Sequence, residues 1–98
     1  INQDILDMGN WQMGFFGGRG LTLAEGLTDA NQNEVRLKRH LAEAVRQVTV
    51  VVDASKLGKV AFASCAPIDL ITRVVTGRGA DSELVSQLRD RGIEVLLA

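Results

Sequence analysis

The run VTVVV, from Val48 to Val52, is the feature that most narrows the folds open to this chain. Every position is β-branched, and apolar residues follow one another without polar alternation, broken only by Thr49. Branching at Cβ favours extended backbone. An apolar strand without alternation is expected to be buried on both faces, as in the interior of a parallel sheet. ITRVVT (Ile71 to Thr76) and IEVLLA (Ile93 to Ala98) repeat the pattern around a segment carrying Leu84, Val85 and Leu88. That segment is predicted to be a helix beginning near Asp81 or Ser82 and ending at Gly92, with Arg89 and Arg91 suiting the dipole of its last turn.

Upstream, Asn31 to Gln47 is predicted to be the longest helix. Its inner stripe is read as Leu37, Leu41, Ala44, Val45 and Val48, while Arg36, Lys38, Arg39, Glu43 and Arg46 face elsewhere. Asp29 or Asn31 can cap its first-turn amides, Glu34 stands three residues after Asn31 as in a capping box, and Glu34 precedes Lys38 by one turn. MGFFGG (Met13 to Gly18) reads as a strand entering a loop punctuated by Gly17, Gly18, Gly20 and Gly26. VAFASCA (Val60 to Ala66) is a further strand, but too few residues separate it from Val52 for a parallel crossover. It is expected to lie antiparallel or elsewhere, and Pro67 breaks the chain after it. The fold class is therefore α/β: a mostly parallel sheet with flanking helices.

Composition excludes several function classes. The 98 residues are 46% apolar, enough for one ordinary core. Eleven Lys and Arg against twelve Asp and Glu, with no long single-sign block, leave no footprint for a phosphate backbone. Cys65 is the only cysteine, and no secretory signal opens the chain, so a reducing cytoplasm is expected. No stretch is long and apolar enough for a membrane helix. The chain opens at Ile1 without an initiator Met, and it is expected to be part of a longer protein, with some elements missing.

In open α/β sheets, ligands bind outside the carboxyl ends of the parallel strands. Three segments qualify: GGRG after Phe16, DASKLG after Val52 and TGRGAD after Val75. In DASKLG, Asp53 leaves the strand directly and Lys56 follows after a short turn. A lysine there can hold a phosphate and an aspartate can accept sugar hydroxyls; alternatively, Asp53 caps the turn and pairs with Lys56 at the surface. GGRG can bring amides and Arg19 to an anion, although it does not lead straight into a helix and so fails the dinucleotide fingerprint. Thr28, Asn31 and Glu34 lie where a helix N-terminus favours an anion, and capping alone also accounts for Asn31 and Glu34. His40 lacks partners at metal-ligand spacing. Cys65 lacks an activating neighbour. Trp11, Phe15, Phe16 and Phe62 are read as core. No acid, base and nucleophile constellation is evident, so no catalytic residue, metal or cofactor is expected.

Taken in order, FFGGRGL, GLTDANQNE, DASKLG and RGIEVLLA resemble the effector domain of DeoR-type transcriptional repressors over most of the chain from Phe15 onward. The resemblance implies a fold related to ribose-phosphate isomerases and coenzyme A transferases. It also implies a phosphorylated sugar as effector. Asp53 and Lys56 would contact it, Glu34 and the Thr28 to Asn31 turn would close one side, and Gly18 and Gly20 would permit close backbone approach. DNA would be met only through a winged-helix domain that this chain lacks, and a homo-oligomer would carry the allosteric response. The family's first Gly-rich loop is not in the sequence, and Gly77 stands where the family often has an aspartate. On this reading residues 1–98 are a partial effector-binding domain of a regulator and not an enzyme. The alternatives are a fragment of a sugar-phosphate isomerase-like enzyme, with Glu34 or Asp53 moving a proton, and an oligomerisation scaffold.

Overall fold

In a computed structural model, which describes residues 11–98, the elements are β1 (Trp11–Phe16), β2 (Gly20–Thr22), β3 (Gly26–Asp29), α1 (Gln32–Ala44), β4 (Val45–Val51), β5 (Ala63–Ala66), β6 (Ile71–Thr76), α2 (Ser82–Asp90) and β7 (Glu94–Leu97). Strands β1, β4, β6 and β7 form a four-stranded sheet in that order, and every neighbouring pair is parallel. Strands β2, β3 and β5 make a separate antiparallel sheet. The architecture is the α/β class with a mostly parallel main sheet. VAFASCA contributes only Ala63–Ala66, antiparallel to β3 and outside the main sheet, as its short separation from Val52 requires.

The order β1-β4-β6-β7 runs one way across the sheet. Since β1–α1–β4 and β6–α2–β7 each join parallel neighbours, the right-handed crossover rule sends both helices to the same face. Burial follows that geometry. Phe16, Val48, Val50, Val74 and Val95 alternate along their strands toward the helices and are buried with Val35 and Ala42 of α1 and Val85 and Leu88 of α2. Met13, Phe15, Val51 and Leu96 point to the other face and are exposed, Phe15 to 69%.

Three expectations are corrected here. The VTVVV strand is buried on one face only at its end, because no helix lies over Val51. Phe15 and Phe62 are not core residues; Phe62, in the loop before β5, is 72% exposed. The side chain of Trp11 lies outside the described residues.

The long helix is also shorter than its periodicity suggested. It stops at Ala44, and β4 begins at Val45 with no intervening loop, the Val45 amide still donating to the Leu41 carbonyl while its own backbone is extended. Val45 and Val48 therefore belong to a strand, and the buried helical positions are Val35 and Ala42, with Leu37 exposed. No glycine or proline marks the junction, so the β-branched content of VRQVTVV alone ends the helix. At the other end Asn31 is the cap, its side chain accepting from the Glu34 amide at 3.0 Å, a contact of about 1 kcal/mol. Helix α2 starts at Ser82 with Asp81 accepting from the Glu83 and Leu84 amides.

Leu88 is fully buried between α2 and the sheet. Leu88→Ala is expected to destabilise the fold by about 2–5 kcal/mol through lost transfer energy and a residual cavity, read as a lower urea midpoint with an unchanged slope.

Candidate functional site

Parallel pairing of β1, β4 and β6 brings the loops after all three to one edge of the sheet. The loop after β1 is tied down most closely. Arg19 N–H donates to the Thr28 carbonyl at 2.9 Å. A Cβ on Gly18 would stand 2.6 Å from Leu27 Cδ1 and 2.8 Å from the Thr28 carbonyl, and one on Gly20 would stand 2.0 Å from the Lys59 carbonyl. These glycines let the loop lie flat on β3 and on the segment after β4.

Between this loop and the first turn of α1 is a cavity of about 480 Å³ lined by Gly18, Arg19, Asp29, Ala30, Asn31 and Glu34. Its walls differ in charge. Arg19 offers a guanidinium whose side chain is 72% exposed. Asp29, the last residue of β3, is 5% exposed. Its Oδ1 accepts from the Ala30 amide at 2.7 Å and lies 3.9 Å from Arg19 Nε, while Oδ2 accepts from Lys38 Nζ at 2.6 Å. Burial pushes the Asp29 carboxyl up, but the Lys38 hydrogen bond, the Ala30 amide and the Lys38 charge outweigh it. The net position is below the usual carboxylate value, so Asp29 is ionised at neutral pH.

Of the residues singled out by sequence, Gly18, Asn31 and Glu34 line this cavity. Thr28 and Gly20 do not. Thr28 is 1% exposed, and its hydroxyl donates to the Gly20 carbonyl at 3.3 Å and accepts from the Ala61 amide at 2.8 Å, which leaves it a structural clamp between β2 and the chain before β5. Asp53 and Lys56 sit on a single 3₁₀ turn, Ala54–Lys56, that follows β4. Asp53 caps it, accepting from the Ser55 amide at 3.0 Å and from the Ser55 hydroxyl. The Ser55 hydroxyl bond is the main reason its carboxyl is lowered, with the Lys56 charge contributing less. Leu57 bridges to Leu21, and the Gly58 amide donates to the Leu21 carbonyl at 2.9 Å, so the turn is held against β2. Asp53 and Lys56 are thus on the same sheet edge as the cavity without lining it. Gly77, after β6, comes within 3.7 Å of Ala54 when given a Cβ, which places the third loop beside this turn.

Sequence reasoning did not select Asp29 as a ligand-facing group, and it paired Lys38 with Glu34 by helical spacing. Lys38 instead reaches back to Asp29 and to the Gly17 carbonyl, at 2.6 Å each. The signal available was the acid at the end of a four-residue strand, GLTD, which is buried throughout. Burial pushes the Cys65 thiol up, which keeps it protonated and unreactive. Among the described residues no cluster of three or more His, Cys, Asp or Glu could hold a metal ion, and no helix is long and apolar enough to cross a membrane.

Comparison with known proteins decides the family. Residues 1–78 match the model of the DeoR C terminal sensor domain. The chain belongs to the DeoR sensor-domain family. It is 31% identical over 94 residues to the HTH-type transcriptional regulator IolR of Bacillus subtilis, covering 96% of this chain and 38% of that protein. With the HTH-type transcriptional regulator UlaR of Escherichia coli it shares 32% over 95 residues, 97% of this chain and 37% of the relative. With the HTH-type transcriptional regulator GolR of Listeria innocua it shares 32% over 84 residues, 86% of this chain and 33% of the relative. The chain thus spans little more than a third of the length of these relatives.

The Asp29–Lys38 pair carries a pH signature for this sensor domain. A carboxyl lowered by folding stabilises the folded state fully above its unfolded value of about 4 and loses that contribution as pH falls through the folded value. Asp29→Asn is therefore expected to flatten the acid limb of stability below about pH 4, measured by urea unfolding at a series of pH values.

Proposed function

We propose that this domain senses a phosphorylated sugar or a related metabolite, bound in the cavity at the start of α1. The observation that carries the reading is that one cavity is lined both by a cation, Arg19, and by two carboxylates, Asp29 and Glu34. The exposed Arg19 guanidinium and the first-turn amides of α1 suit a phosphate. The Asp29 and Glu34 carboxylates of the same lining suit sugar hydroxyls as donors. A volume of about 480 Å³ lies within the range of small-molecule sites, roughly 300–1,000 Å³. Asp53 and Lys56, from the neighbouring turn after β4, supply a second set of contacts from the same edge of the sheet, with Lys56 as a further cation for the phosphate.

Binding, and not turnover, is the activity we assign, since the names of the relatives are those of regulators. The whole protein is then a cytoplasmic transcriptional repressor that meets DNA through a winged-helix domain outside this chain and responds as a homo-oligomer. The effector acts by binding one arrangement of that oligomer better than another.

Calorimetry on the full-length regulator with inorganic phosphate, glycerol phosphate, ribose 5-phosphate and fructose 6-phosphate tests the reading. At least one sugar phosphate is expected to bind more tightly than inorganic phosphate and to be recovered unchanged. Arg19→Ala and Lys56→Ala are each expected to weaken it roughly 10- to 100-fold, the loss of one charge-assisted hydrogen bond. Binding that survives both substitutions would refute the site, and steady conversion of the sugar would favour an isomerase.

A further inference from the structure

Lys38 does not line the cavity, yet it holds two of the parts that do. From the second turn of α1 it donates to the Asp29 Oδ2 and to the Gly17 carbonyl, at 2.6 Å each, with its side chain only 20% exposed. Asp29 is a cavity wall, and Gly17 immediately precedes Gly18, another wall. The peptide between Gly17 and Gly18 is planar, so fixing the Gly17 carbonyl also fixes the direction of the Gly18 N–H. One ammonium group therefore sets the orientation of a carboxylate and of a backbone donor that belong to different elements.

We propose that Lys38 is a positioning residue for the effector: it fixes the Asp29 carboxylate and the Gly17–Gly20 loop in binding geometry without touching the ligand. The inference rests on the sugar-phosphate reading above. The Asp29 carboxylate is the last group of a buried strand, and its oxygens are divided between functions. Oδ2 belongs to Lys38; Oδ1, held by the Ala30 amide, keeps lone-pair capacity for a ligand hydroxyl. The other charged or titratable groups around it are Arg19 from the loop after β1, Glu34 from α1 and the Cys65 thiol of β5. Arg19 is 3.9 Å away and mostly exposed, so it does not replace the 2.6 Å contact. Removing the ammonium leaves a buried carboxylate to take up a proton and a loop carbonyl to turn toward water.

A double-mutant cycle in the full-length regulator tests this, using the sugar phosphate that binds most tightly among those named above. Lys38→Met is expected to weaken binding at least tenfold at pH 7. The ratio of its affinity to that of the wild type should rise with pH as Asp29 ionises, a profile in which the ligand phosphate's own titration cancels. In an Asp29→Asn background the same change should cost less than threefold. A loss below twofold in the wild-type background, an equal loss in both backgrounds or a flat ratio with pH would overturn the proposal.

Two readouts do not need a ligand. Carbon NMR of the Asp29 carboxyl should show its titration moving upward in Lys38→Met. Amide exchange at Gly18 should quicken in the Asp29→Asn, Lys38→Met double variant relative to Asp29→Asn, a comparison in which the Asp29 charge is absent from both variants. If no sugar phosphate binds the wild type, the sugar-phosphate reading fails, and these two readouts decide on Lys38 separately. Both unchanged would overturn its positioning role.

Discussion

Strand β4 is the constraint on which the rest of the molecule depends. It is the only described strand that takes β1 on one side and β6 on the other, both in parallel. Its β-branched sequence holds it extended, and its direction forces each neighbour to arrive by a crossover. Because the chain then moves steadily to one side, both helices fall on one face. The same arrangement points the carboxyl ends of β1, β4 and β6 at a single edge. The place for chemistry and the bare face with Phe15, Val51 and Leu96 are two consequences of one topology.

Much of this was legible in the sequence, and the failures have identifiable physical causes. Unalternating β-branched runs located β4 and β6, and capping residues located both helix starts at Asn31 and Asp81. The end of α1 was misplaced because Val45 and Val48 happen to continue a helical period across a junction that carries no breaker. Burial of VTVVV on both faces holds at Thr49 but not at Val51; it failed there, and the core assignments of Phe15 and Phe62 failed, for another reason. Apolarity records that a residue favours cover, whereas the order of the strands decides whether a covering layer is present, and that order is not written in any local window.

For the site, spacing singled out three of the six residues that line the cavity. Gly18, Asn31 and Glu34 are wall residues that a Gly-rich loop and a helix entry announce on their own. Asp53 and Lys56 were conspicuous because they flank a turn directly after the strand, and the structure gives Asp53 the local capping role that short acid-to-serine spacing favours. Gly20 and Thr28 were chosen for the same kind of reason, but their neighbours are Lys59 and Ala61, residues distant in sequence that only the tertiary pairing brings there. Asp29 and Lys38 were under-read because their contact joins a strand end to the inner side of a helix, where Lys38 falls between Val35 and Ala42 although its charge had assigned it to the polar face. Helical spacing offered Glu34 as a partner for Lys38, and nothing local says that a buried acid nine residues away competes.

That competition is won on burial. A surface pairing of Lys38 with Glu34 would contribute only a few tenths of a kcal/mol in a well-solvated setting. Asp29 sits at the end of a strand buried along its whole length, where an ionised carboxylate without a cation would be costly. The ammonium therefore goes to the site of greater need, and it takes the Gly17 carbonyl with it. A parallel sheet fixes where three loops emerge, and β3 holds the first of them at the Arg19 amide but not at the Gly17 carbonyl. In this domain that carbonyl is held by a charge on the adjoining helix, and the same charge that makes a buried aspartate tolerable also gives the loop beside it a defined shape.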